Sequence, residues 1–119
     1  MKRILTVAVV VAALLACASV AIAGAVGGPK VQRTEVQAFA TDVYRVAFHG
    51  GELAVVTVIG DGDTDLDLYI YDQFGNLVTF DDGPTDNCVV SWVPRQTGYY
   101  TIKVVNRGRV FNRYTIRTN

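Results

Sequence analysis

Four carboxylates fall within the seven residues Asp61-Gly62-Asp63-Thr64-Asp65-Leu66-Asp67. Oxygen ligands at that density point to a hard cation. Ca2+, which takes roughly six to eight oxygens, is the extracellular candidate. The run is not an EF-hand loop: with Asp61 as first residue, Leu66 falls where glycine is needed and Asp72 where a bidentate Glu is needed. Nor can a straight strand gather all four, because alternate residues stand about 6.5–7 Å apart. A site therefore takes Asp61 and Asp63 from the turn together with Asp65, Asp67 being the further acid of interest on the strand. One acid comes from a neighbouring loop, Asp81, Asp82 or Asp86, with Asp82 or Asp86 preferred. The alternative is a solvated acidic face, in which like charges near 7 Å in water cost only about 0.6 kcal/mol per pair.

Catalytic residues are scarce. Past Gly24 the chain has one histidine, His49, and one serine, Ser91. His49 abuts a Gly-Gly turn and Ser91 sits within an alternating run, so nothing in their spacing points to a triad with an Asp. A pair of Asp carboxylates doing hydrolytic work is the alternative of another class, and it requires two acids facing each other about 5–10 Å apart in a cleft. There is no phosphate-binding glycine loop, zinc cluster or nucleic-acid module. A non-enzymatic role is the expectation.

The elements that would position these residues are strands. Leu66, Leu68 and Ile70 alternate with Asp65, Asp67, Tyr69 and Tyr71, a period of two. Val43–Phe48, Leu77–Phe80, Cys88–Val93, Tyr99–Val105 and Tyr114–Arg117 read likewise, separated by Gly, Asp, Asn and Pro turns. Leu53–Ile59 is nearly continuous in apolar residues and reads as a strand buried on both sides or central in a sandwich. Seven or eight short strands with such turns predict an all-β, antiparallel, jelly-roll-like sandwich. Its aspartates should lie outside. Trp92 and Cys88 read as core, Cys88 as a small buried hydrophobe.

The first 23 residues have a different character. Lys2 and Arg3 precede an apolar run from Ile4 to Leu15, and Ala21-Ile22-Ala23 forms a signal-peptidase site. Residues 1–23 are thus expected to be a signal peptide, 24–33 a flexible leader and 34–119 the domain. A retained anchor is the competing reading, since Ile4–Val26 is long enough to span; the alanine-rich second half and the cleavage site favour removal. Leu14-Leu15-Ala16-Cys17 also resembles a lipoprotein signal, which would lipidate Cys17 and tie the same domain to a membrane. The expected location is secreted or periplasmic. Once Lys2 and Arg3 are removed, 9 basic residues face 11 acidic ones, a net charge of −2. That is too little to call for nucleic acid or a membrane surface.

Gly60-Asp61-Gly62-Asp63, the run Asp65-Leu66-Asp67-Leu68-Tyr69-Ile70-Tyr71-Asp72, then Gly75-Asn76 and Thr97-Gly98-Tyr99-Tyr100-Thr101-Ile102-Lys103-Val104 together resemble the bacterial pre-peptidase C-terminal domain over roughly residues 35–118. The resemblance implies a jelly-roll-like sandwich, usually appended to exported enzymes and itself non-catalytic. It also implies Ca2+ or a polymeric substrate as ligand in some related modules. No aromatic motif in the sequence matches a collagen-type face, so that property is not carried over. The expected role is an exported binding or structural module, stabilised by Ca2+, whose partner is an extracellular protein or polysaccharide.

Overall fold

The computed structural model describes residues 24–119. They form eight strands: β1 (Lys30–Val36), β2 (Thr41–Phe48), β3 (Ala54–Ile59), β4 (Leu66–Tyr71), β5 (Leu77–Asp81), β6 (Asn87–Trp92), β7 (Gly98–Asn106) and β8 (Asn112–Thr118). All pairings are antiparallel, in two four-stranded sheets ordered β1-β8-β3-β6 and β2-β7-β4-β5. Successive strands change sheet except at the β4–β5 hairpin, the wiring of a jelly roll. The all-β sandwich expected from alternation is the fold observed.

Alternation sets the core. Leu66, Leu68 and Ile70 of β4, Ile102 and Val104 of β7 and Val56 and Val58 of β3 are fully buried and face one another across the two layers. Trp92 closes one end of this core: its ring lies 4.9 Å from Phe48 edge-on and 5.2 Å from Tyr100. Cys88 is buried as expected, and its Sγ–H is directed at the Leu66 carbonyl, 3.1 Å away. Burial pushes that thiol up to about 12, so it stays protonated and inert.

Two expectations are corrected and one is narrowed. Of its two readings β3 takes the second, an inner strand of a sandwich sheet, buried on one face only: Ala54, Val56 and Val58 are covered, Val55 and Thr57 half-covered, and Ile59 is half-exposed. Among the described residues no third layer lies over that sheet, so its outer residues are screened by neighbours on β8 and β6. The stretch read as a flexible leader contains the start of β1, which pairs with β8 from Lys30 onward. Ahead of it Ala25 is buried, its N–H donating to the Asn119 carbonyl at 2.8 Å. The aspartates are not all outside: Asp67 and Asp86 are buried.

Strand direction sorts the loops. The β1–β2, β3–β4, β5–β6 and β7–β8 connections share one end of the sandwich, and the other three share the opposite end with residues 24 and 119. All the candidate aspartates lie at the first of these ends or at the strand termini beside it. Residues 1–23, expected to be a signal peptide, and Cys17 among them, lie outside the described residues.

Candidate functional site

The acidic end is a hydrogen-bonded knot. Gly60 N–H donates to the Asp86 carbonyl (3.0 Å), Leu66 N–H to the Thr85 carbonyl (3.4 Å) and Arg107 N–H to the Asp65 carbonyl (2.9 Å). Asp86 Oδ2 accepts from Gly62 N–H at 2.6 Å and from Asn112 Nδ2 at 2.9 Å. A methyl group on Gly60 would overlap the Asp86 carboxylate, so glycine is required there for space. Asp61 Oδ1 accepts from Asp63 N–H and Oδ2 from Arg113 N–H, at 3.0 and 2.9 Å. These bonds hold the Asp61 carboxyl below its ordinary range, with the Arg113 amide contributing most.

The expected division of labour among the aspartates is therefore redrawn. Asp61 and Asp86 spend their oxygens tying the loops together, while Asp63 and Asp82 face solvent. The two acids with free buried oxygens are Asp65 and Asp67, whose Oδ1 atoms both lack a hydrogen-bond partner. Burial, followed by the neighbouring charge of Asp67, pushes the Asp65 carboxyl up, with Asp82 and Asp86 adding to the repulsion. Asp67 is partly compensated: Arg107 Nε donates to its Oδ2 at 2.7 Å, while Arg107 Nη2 donates to the Tyr69 hydroxyl at 3.1 Å. Among the described residues no three His, Cys, Asp or Glu side chains are drawn together as a ligand set. A cation here would rest on Asp65 and Asp67, its remaining ligands being carbonyl oxygens and water.

In a hollow of about 570 Å³ at this end, Glu35 and Asp61 both lie in the lining and are already engaged. Glu35 receives Arg113 Nε at 3.5 Å and Gln37 Nε2 at 3.1 Å, and both Asp61 oxygens are bound to backbone amides. Ser91 stands exposed on the outer face of β6, and His49 follows β2 in the other sheet, its N–H donating to the Gly24 carbonyl.

Sequence reading missed a second surface. The outer face of the β2-β7-β4-β5 sheet carries Arg45, Lys103, Tyr69, Tyr71, Phe80 and Tyr99. Register places Tyr69 between Lys103 and Phe80, and Tyr71 beside Thr101, itself opposite Arg45. The Arg45 guanidinium lies 4.1 Å from the Tyr99 ring centre and Lys103 Nζ 4.9 Å from that of Tyr71. Tyr69 and Phe80 lie alongside each other, 6.0 Å apart at 21°. Tyr99 and Phe80 are about half exposed.

Comparison with known proteins finds no matching family model and no curated protein similar to the chain. Among solved structures the chain is similar to the pre-peptidase C-terminal domain of a collagenase from Bacillus anthracis. The TM-score is 0.60 and the identity 13%, covering 76% of this chain and 88% of that one. The fold is like that of this pre-peptidase C-terminal domain. Likeness at this identity speaks for architecture, and the side chains on the two surfaces must be read on their own terms.

Proposed function

We propose that the chain is an exported, non-catalytic binding module whose contact surface is the outer face of the β2-β7-β4-β5 sheet. The observation that carries this is the set of aromatic rings on that face with Arg45 and Lys103 laid over two of them. Tyrosine and arginine at a surface, here Tyr99 and Arg45, are residue types enriched where protein surfaces bind. The similar solved domain belongs to a collagenase, which supports a role beside an enzyme. The amino-terminal charge, apolar run and Ala21-Ile22-Ala23 support export, with Gly24 as first mature residue.

The test is retention of the exported protein on insoluble extracellular polymers, comparing Tyr71→Ser/Tyr99→Ser with Val89→Ser on the opposite face. Loss confined to the tyrosine variant is the expected result; equal retention of both removes this face from the function. Intact mass of the exported protein reads out processing in the same sample, Gly24 as its start supporting signal peptidase and a lipid adduct on Cys17 supporting the lipoprotein route.

A second reading concerns Ca2+, favoured by the unpartnered Asp65 and Asp67 oxygens. Bound there, the ion would neutralise two carboxylates that repel each other and brace the loops around them. In a melting scan, Ca2+ at about a hundred times its dissociation constant should add roughly 2.7 kcal/mol relative to EGTA. An unchanged melting temperature removes the ion from the account.

A further inference from the structure

We infer that the polymer held by this face is an acidic polysaccharide, one whose sugar rings bear carboxylates; the inference rests on the binding-face reading above. Away from the acidic loops, charge on the face is one-sided. Among the described residues Asp67 is the one carboxylate within the strands of this face; it lies at the edge beside those loops, next to Asp82, and is already bonded by Arg107. Among the described residues Arg45 and Lys103 have no acidic partner within ion-pair distance, the ion pairs being Arg107–Asp67 and Arg113–Glu35. Asp72, which follows Tyr71, has its carboxylate turned into the hairpin, accepting from Phe74 N–H and Asn76 N–H at 2.9 Å each. Past residue 23 the chain is net acidic, so a positive sheet face runs against its overall charge.

The cations are also held in place. Laid over the rings of Tyr99 and Tyr71, the Arg45 and Lys103 heads lie close to the sheet instead of sweeping through solvent, which lowers the cost of ordering them on a ligand. The sheet fixes their relation: Arg45 pairs with Thr101, two residues from Lys103 on the same strand, making the two cations diagonal neighbours. A ligand with anions at intervals along a stiff chain matches that array. Exposed Val43 and Phe80 flank it with apolar surface for the C–H faces of sugar rings. The tyrosine hydroxyls serve as donors and acceptors for sugar hydroxyls. An acidic polypeptide supplies the charge without the hydroxyls, and a neutral glycan supplies the hydroxyls without the charge.

The experiment measures binding of the exported protein to alginate, dextran, polyglutamate and gelatin by affinity electrophoresis. Alginate should retard it far more than dextran or polyglutamate, and the retardation should fall as salt rises, because exposed charges are screened. Arg45→Ala/Lys103→Ala should weaken alginate binding about tenfold or more, while its melting curve stays near that of the parent. Equal binding to polyglutamate reduces the effect to ion exchange and overturns the polysaccharide. Binding to gelatin alone overturns the polysaccharide but leaves the binding face standing. Failure to bind any of the four, or alginate binding that survives the double substitution, removes both.

Discussion

Asp65 shows how one side chain can work against its own fold. Its carboxyl is raised by burial and by Asp67, so the native state holds the proton more tightly than the unfolded chain does. The sign follows: the group's contribution to stability falls as pH rises from the ordinary 3.8 through the raised native value, and stays low at neutral pH. Asp65→Asn is therefore expected to raise the melting temperature at pH 7 in EGTA by about 2–4 °C, for roughly half a kcal/mol. The gain should shrink in acid, where the parent carboxyl is already protonated, and the variant should lose any stabilisation by Ca2+. A lower melting temperature at pH 7 would show that the charge is compensated. This role was not legible in the sequence. The density of acids was plain, but Asp61 looked as good a ligand as Asp65 until the Arg113 amide, fifty-two residues on, was seen to occupy it.

At the level of the strand and loop, legibility followed burial contrast. β4 and β7 were readable because Leu66, Leu68, Ile70, Ile102 and Val104 face inward between polar or aromatic neighbours. β1 was not, because in Lys30–Val36 only Val36 is buried; an edge strand with so little to hide carries no alternation, and the glycines and proline before it read as loop. The aromatic face was hidden for another reason. Tyr69, Phe80 and Tyr99 come from three strands and share one face only through register. The loops depend on buried amides more than on apolar contact. Asn106 Nδ2 donates to the Val36, Gln37 and Val110 carbonyls, and its Oδ1 accepts from Gly108 N–H. Asn106→Ala leaves these groups partnerless out of water, and urea unfolding should show a loss of about 3 kcal/mol. A loss under about half a kcal/mol would mean that water takes over the bonds.

For the molecule as a whole, stability rests on one modest core. A domain of about 96 residues hides only roughly 60–65% of its unfolded surface, and there is no disulfide among the described residues, Cys88 being free. Trp92, packed on Phe48 and Tyr100, is the largest side chain in that core. Trp92→Ala should cost about 3–5 kcal/mol, a large share of the roughly 5–15 kcal/mol typical of such domains, and denaturant midpoints will show it. A negligible shift would place the ring outside the cooperative core. One feature of the outline bears on any larger assembly. Because the Ala25 amide meets the Asn119 carbonyl, whatever is joined to either extremity attaches at the pole nearest Trp92. The sheet flank then stands sideways to the line of attachment, open to lie along a fibre, while the carboxylate-rich pole points outward, away from tether or neighbour.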